Sequence, residues 1–294
     1  MPSLHFIYNP VAGNGLSQKA FEKMQALLDE RQIPYSFAES QYAGHTCELT
    51  RQAMADGHSC IVAVGGDGTV REVAMQLVNT NIPFSFLPCG TGNDLARALH
   101  MPDDPEKVLD MLLNNAPRPM DAGTTNGELF INVSGFGFDV DVLIYTELYK
   151  KRFRGSLAYV LGLLHALKDL KLRKIHVETA EGLVFDSNAL VVTAGNGTHF
   201  GGGMNVTPEA TPFDGLFDVC VISDVKLSTV FRVLLKFMKG KHLGLPIVKY
   251  FRSSEFTVSS DPPSPLELDG EIMLETPVTF KILPGALQVI ASEQ

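Results

Sequence analysis

The spacing of apolar residues over the first 120 positions switches repeatedly between short continuous runs and three-and-four spacing. Leu4–Tyr8 is an apolar run closed by Asn9-Pro10, and Leu16–Arg31 then carries Leu16, Phe21, Met24, Leu27 and Leu28 at helical intervals. Tyr35–Ala38 reads as a strand, His45–Asp56 as a helix and Cys60–Val64 as a buried strand. Val70–Asn79 is helical again, Phe84–Leu87 is a strand, and Asn93–Leu99 opens another helix. Strands separated by helices of this length need a parallel sheet covered on both faces.

The pattern changes near Pro117–Asp121. Beyond it strand signals dominate, at Leu129–Val133, Ile175–Thr179, Ala189–Ala194, Phe217–Ile222, Phe256–Ser259 and Val278–Ile282. Two helical stretches, Tyr149–Lys174 and Lys226–Arg252, interrupt them, and Pro284-Gly285 breaks the chain before a last apolar run, Leu287–Ile290. The expected fold class is α/β: an N-terminal parallel-sheet nucleotide domain over 1–123, which 284–294 could complete, and a mainly antiparallel β-rich domain over 124–283. A length of 294 residues with 45% hydrophobic content supports two cores rather than one.

Charge refines this picture. The net charge of −9 argues against general nucleic-acid binding. The two helical stretches nevertheless carry +14 between them, leaving −23 for the remainder. A solvated basic face explains either stretch alone. Together, mixing Leu, Phe, Tyr and Val with Lys and Arg, they point to an anionic surface such as a phospholipid leaflet. The longest apolar run without a charge, Gly155 to Leu167, is too short to span a bilayer, and the N-terminus lacks the basic region of a signal peptide. A cytoplasmic protein that associates transiently with the inner membrane surface is expected. Cys47, Cys60, Cys89 and Cys220 have no metal-ligand spacing and read as buried free thiols.

The strongest local signal is Gly65-Gly66-Asp67-Gly68-Thr69, between the apolar strand CIVAV and the helical VREVAMQLV. A glycine-rich turn there lets backbone N–H groups approach phosphate, and the helix N-terminus favours negative charge. Asp67 beside phosphates calls for a cation, Mg²⁺ being the expected one. Alone, this segment fits a tight turn with a helix cap equally well. It is repeated at the first strand by Asn9-Pro10-Val11-Ala12-Gly13-Asn14-Gly15, and after the fourth by Gly90-Thr91-Gly92-Asn93-Asp94. Three such turns at the carboxyl ends of parallel strands would converge on one sheet edge, which favours a nucleotide site. Neither GxxxxGK[ST] nor GxGxxG is present. Late in the chain, Leu268-Asp269-Gly270-Glu271 reads first as a plain β-hairpin turn. Its second reading is an acidic pair able to orient or deprotonate a phosphoryl acceptor.

In their order these segments resemble the diacylglycerol kinase catalytic-domain family, which includes bacterial lipid kinases and sphingosine kinases. The match runs through NPVAG, VGGDGTVREV, PCGTGNDLARAL, FINVSGFGF over Phe130–Phe138, GNGTHFGGGMNVTPEA, DGLFDV and LDGE. GGDGT alone is shared with NAD kinases and phosphofructokinases; its pairing with GTGNDLARAL and LDGE is the specific part. The resemblance implies ATP between the two domains, its phosphates near Asn9, Pro10, Val11, Ala12 and Gly13 and near Gly65, Gly66, Asp67, Gly68, Thr69, Val70 and Arg71. Thr91 and Asn93 in the next turn, and Ser40 where the family usually has Thr, would add nucleotide contacts. Glu271 would be the general base, with Asp269 beside it. Asp67, Asp94 and Asp121 would form an acidic network for catalytic Mg²⁺, and Thr211, Asp214 and Leu216 would hold a further Mg²⁺.

The implied activity is transfer of the γ-phosphate of ATP to a lipid hydroxyl, of diacylglycerol or a related lipid, at the membrane surface; a homodimer is compatible with this. A kinase for a soluble acceptor such as NAD and a nucleotide-binding regulator without turnover are the alternatives. Of the eight histidines only His199, within Gly195–Gly203, is expected near the cleft.

Overall fold

The computed structural model describes residues 3–153, 156–225 and 227–292. Met1 and Pro2, on which the leader reading partly rests, lie outside the described residues, as do Arg154, Gly155 and Lys226 of the basic stretches.

The N-terminal part runs β1 (Leu4–Tyr8), α1 (Leu16–Glu30), β2 (Tyr35–Glu39), α2 (His45–Ala55), β3 (Cys60–Gly65), α3 (Asp67–Leu77), β4 (Pro83–Pro88), α4 (Asp94–Ala98) and α5 (Pro105–Asn114). Helix α5 has no counterpart in the reading of the sequence, although Asp104 caps it through Glu106 N and Pro105 opens it. The chain continues through β5 (Arg118–Thr125), β6 (Glu128–Phe130), β7 (Val133–Gly137), α6 (Phe138–Lys150), α7 (Ser156–Lys168), β8 (Arg173–Thr179) and β9 (Val184–Gly195). After these come the short β10 (His199–Phe200) and β11 (Met204–Asn205), then β12 (Phe217–Ser223), α8 (Leu227–Met238), β13 (Val248–Ser253), β14 (Glu255–Asp261), β15 (Pro265–Leu268), β16 (Glu271–Glu275) and β17 (Val278–Val289).

Strands β1 to β4 are parallel in the order β2-β1-β3-β4. Strand alternation sends Leu4, Phe6, Cys60, Val62 and Val64 to a core shared with α1 and α5. Ile7, Ile61 and Ala63 go to the opposite core, under α2 and α3. The remaining strands pair antiparallel among themselves, with Phe130, Phe136, Phe217, Phe256 and Phe280 at the centre of their core.

Strand β17 belongs to both halves. Its first part pairs antiparallel with β14 and most of its length with β5; its end also lies parallel to β4, Gln288 opposite Pro83 and Val289 opposite Phe84. The break expected at Pro284-Gly285 is a register shift between Leu283 and Leu287 within a continuous strand.

Three other local readings need correction. The strand expected at Leu129–Val133 is two strands, because the N–H groups of Ile131 and Asn132 turn to a side chain, Asp269, rather than to a neighbouring strand. Tyr149–Lys174 is the end of α6, then α7, then the start of β8, while Lys226–Arg252 holds α8 followed by strand β13. The helix read as starting at Val70 starts at Asp67, inside the glycine turn.

Candidate active site

Strand order 2-1-3-4 places a topological switch between β1 and β3, the crevice where open α/β sheets take ligands. The three glycine turns meet there. A Cβ on Gly13 would stand 2.0 Å from the carbonyl oxygen of Cys89, and one on Gly90 would stand 2.6 Å from Cα of Gly66, so this contact requires glycine at both positions. Asn9 closes its own turn by accepting Val11 N–H at 3.3 Å, and its amide donates to the Thr69 hydroxyl at 3.4 Å. The resulting pocket is walled by Asn9–Gly13, Ser40–Gly44, Gly66–Thr69, Gly90 and Thr91. Ser40 is buried, its hydroxyl bonded to Thr46 and to the carbonyl of Tyr42.

Asp67 and Asp94 are joined through the backbone. Asp67 accepts N–H groups of Asn93 at 2.8 Å and Asp94 at 2.7 Å, and Asp94 accepts those of Gly202 at 2.9 Å and Gly203 at 2.7 Å. The second pair crosses from the nucleotide-type turn to the β10–β11 loop of the other domain. Burial, then the neighbouring Asp67 carboxylate, pushes Asp94 above the usual carboxylate range, and the Gly202 and Gly203 N–H groups oppose this.

The LDGE segment is the hairpin turn between β15 and β16. Asp269 accepts N–H groups of Ile131, Asn132 and Val133 at 2.9, 2.9 and 3.2 Å, so the turn is fixed against the β6–β7 link. Arg71, from α3, reaches across with Nη1 3.0 Å from Glu271 and Nε 3.5 Å from Asp269. Burial raises the Asp269 carboxyl to about 6 despite these donors and Arg71. Glu271 itself stands at the exposed rim.

Two further acids close to the site, Glu267 and Asp139, escaped the reading of the sequence. Glu267 is fully buried and accepts Gly270 N–H at 2.6 Å; burial, then the nearby Asp139, raises it well above the carboxylate range. Asp139 is raised to about 6 by burial, and its Oδ1 has no hydrogen-bond partner. The signal for both was an acid between apolar residues two positions before a second acid, in PLELDG and GFDVD.

Three cavities lie in series. The nucleotide-type pocket shares Asp67 and Thr91 with a polar cleft that also holds Arg71, Asp94, Asn132 and Asp269. That cleft shares Leu143, Phe200 and Gly201 with an apolar cavity of about 130 Å³ between α6, α7, α8 and β9. Apart from Asp139, its walls are almost wholly hydrocarbon, among them Phe138, Val142, Leu163, Val191, Leu234 and Phe237.

The implied metal sites fit unequally. Among the described residues no three acidic, His or Cys side chains cluster as a cage. Asp67 and Asp94 meet at the cleft, and Mg²⁺ arriving on substrate phosphates needs only one or two carboxylates. Asp121 does not join them. It is buried elsewhere, and both its oxygens accept backbone N–H groups, of Gly215 and Gly285 at 2.8 Å each, tying β5 to the loop before β12 and to β17. Thr211, Asp214 and Leu216 make a poor cation site. Asp214 accepts Leu216 N–H with one oxygen at 3.1 Å, and its other oxygen faces the Arg252 guanidinium at 3.6 Å. His199 is half-buried, bonded to Thr198, and does not line the cleft.

Residues 3–125 match the model of the diacylglycerol kinase catalytic domain, and 132–291 match that of the YegS C-terminal NAD kinase beta sandwich-like domain. A diacylglycerol kinase of Bacillus subtilis is 28% identical over 100% of this chain and 98% of its own length. A Pseudomonas putida protein named "Probable lipid kinase YegS-like" is 34% identical over 84% of this chain and 82% of its own. A Bacillus anthracis diacylglycerol kinase structure superposes with a TM-score of 0.77 at 20% identity, covering 99% of this chain and 97% of the other. An NAD kinase from Archaeoglobus fulgidus shares the fold more distantly, at a TM-score of 0.57 and 13% identity over 99% and 94%. With both halves matched in order and a relative at this identity, the chain belongs to the diacylglycerol kinase catalytic-domain family of lipid kinases.

Proposed function

We propose that this protein transfers the γ-phosphate of Mg–ATP to the hydroxyl of a membrane glycerolipid such as diacylglycerol. The observation that carries the reading is the series of three cavities: a phosphate-type pocket of glycine turns, a polar cleft, and a hydrocarbon-lined cavity opening into it. A soluble acceptor has no use for the third; an acyl chain gains about 0.8 kcal/mol for each methylene buried there.

The phosphate N–H donors are those of the 66–69 turn at the start of α3, with Thr91 at the junction and the 9–13 turn, whose own N–H groups are largely engaged, as a neighbouring wall. Asp67 and Asp94, whose oxygens each already accept a backbone N–H, would hold Mg²⁺ through their remaining lone pairs, and the ion would offset charge on the phosphates of ATP. Glu271 takes the proton of the lipid hydroxyl as its oxygen bonds the γ-phosphorus, and the bond from that phosphorus to the β-phosphate oxygen breaks to release ADP. Arg71 holds Glu271 in place through the 3.0 Å ion pair. A raised carboxyl at Asp139 keeps its proton more readily and can then donate a hydrogen bond to the polar end of a lipid in the cavity.

Exposed apolar residues at the cavity mouth support delivery from a bilayer. Phe231, Leu235 and Met238 of α8 all line it and are exposed, beside exposed Arg232, Lys236 and Lys239. No helix among the described residues is long and apolar enough to cross a membrane, so the face would rest on the leaflet.

The test is incubation with γ-labelled ATP, Mg²⁺ and anionic vesicles containing diacylglycerol, followed by organic extraction. Label in the organic phase supports the reading. Label confined to aqueous products, with NAD among the acceptors offered, would overturn it in favour of a soluble-substrate kinase.

A further inference from the structure

The far wall of the nucleotide-type pocket carries an aromatic side chain to which the proposed chemistry assigns no role. Tyr42 lies in the link between β2 and α2, lines that pocket, and is 55% exposed. It is nevertheless held firmly. Its ring stacks on His45 with centroids 4.3 Å apart and planes 7° from parallel, and its hydroxyl donates to Glu48 at 2.9 Å. His45 is fixed in turn, because its Nδ1 accepts Gln41 N–H at 3.1 Å. An exposed aromatic ring anchored at its back and at its tip presents one free face. His45 itself is not part of the pocket wall, so the face toward the pocket is that of Tyr42.

Position along the sheet edge matters as much as the ring. The phosphate-type donors sit after β3 and β4, and Tyr42 follows β2, two strands from β3 and three from β4. At about 4.8 Å per strand this separates the two ends of the pocket by roughly 10 to 14 Å, the reach of an extended nucleoside triphosphate. On the neighbouring strand, the turn after β1 brings Val11, 78% accessible, into the same pocket wall.

We infer that Tyr42 is the stacking platform for the nucleotide base, preorganised by His45 and Glu48 and selecting a purine over a pyrimidine by the larger stacked area. This rests on the nucleotide reading of the pocket and adds to it the residue that holds the base. Tyr42 touches the donor nucleotide remote from the reacting phosphate, so it sets affinity for the donor and leaves the transfer step alone.

The experiment compares wild type, Tyr42→Phe and Tyr42→Ala by direct binding of Mg–ATP, Mg–CTP and Mg–tripolyphosphate, the last having phosphates but no base. Base–aromatic stacking predicts roughly 5- to 150-fold weaker ATP binding in Tyr42→Ala, with Tyr42→Phe within about threefold of wild type. Tripolyphosphate should bind all three proteins equally, and wild type should prefer ATP to CTP. Because the chain has no tryptophan, tyrosine emission is readable, and its quenching by ATP should be weakened in Tyr42→Ala. Unchanged ATP affinity in Tyr42→Ala would overturn the inference, as would an equal loss for ATP and tripolyphosphate, which marks a collapsed loop. Wild type that binds neither ligand would overturn the nucleotide reading itself.

Discussion

Replacing Asp94 with Ala removes the one carboxylate that bridges the glycine turn after β4 and the Gly201–Gly203 loop of the second domain. Two N–H groups, of Gly202 and Gly203, lose a charged acceptor at 2.9 and 2.7 Å. Hydrogen bonds to a charged group contribute about 1.5–3 kcal/mol each. Part of that gain is already offset, since burial and Asp67 hold the Asp94 carboxyl above its ordinary range. Gly202 lines a cleft that water can enter, which lowers the penalty for its freed N–H. The net cost is therefore about 2–4 kcal/mol, or a fall in Tm of roughly 4–10 °C for a chain of this size. Asp94→Asn keeps one acceptor and should lose about half as much. Urea unfolding gives the total, and amide exchange at Gly202 and Gly203 gives the local part, which should accelerate tens-fold or more in Asp94→Ala. An Asp94→Ala protein within 0.5 kcal/mol of wild type, with exchange at those two amides unchanged, would refute the bridging account.

Three further outcomes are expected. Glu271→Gln should cut lipid phosphorylation by about 10²–10⁴ while ATP affinity stays within twofold; turnover near wild type would remove Glu271 from the role of base. Leu163→Trp should narrow the apolar cavity, and activity on long-chain diacylglycerol should fall more than tenfold, with activity on a short-chain soluble analogue spared; equal losses on both would mean the cavity holds no chain. Asp269, at about 6 when folded against 3.8 ordinarily, holds its proton more tightly in the folded state. That favours folding as pH falls from about 6 to 4, by up to about 3 kcal/mol, and the contribution is lost as pH rises through 6. The unfolding free energy of Asp269→Asn should lack this component, and identical pH slopes for the two proteins would contradict it.

The parallel sheet and its three turns were readable because both signals are local. Apolar period marks the elements, and glycine after a strand marks a turn whose location the sheet then dictates. Asp67 stands out in one such turn, and Asp94 lies in another. Asp121 was grouped with them by resemblance alone; its partners Gly215 and Gly285 lie 94 and 164 residues away, and no local pattern encodes a bond to a distant N–H. The same limit hid Arg71 as the partner of Glu271, 200 residues on. The basic stretches misled for a different reason. Charge is a property of a helix face, and it continued past the helix ends into β8 and β13, where Lys174, Lys249 and Arg252 are outward while Arg173 is buried and paired with Asp141. Helix α5 left an explicit cap signal in Asp104-Pro105-Glu106 that went unused.

Strand β17 has a consequence for the order in which the molecule can assemble. Phe84 and Phe86 of β4 are fully or almost fully buried, and the strand beside them arrives some 200 residues later in the chain. Ser85 donates to the carbonyl of Ile290, and Asn79 N–H to that of Ala286, so the open edge of the first sheet has no local substitute for β17. During synthesis the glycine turns can form early, but the sheet beneath them stays an unpaired edge until the whole second domain has been made. Closure of so long a loop belongs to the late, slow part of folding. A fragment ending near residue 123 should therefore aggregate or stay loosely packed, and supplying residues 278–292 in trans should rescue its solubility if edge pairing is what it lacks.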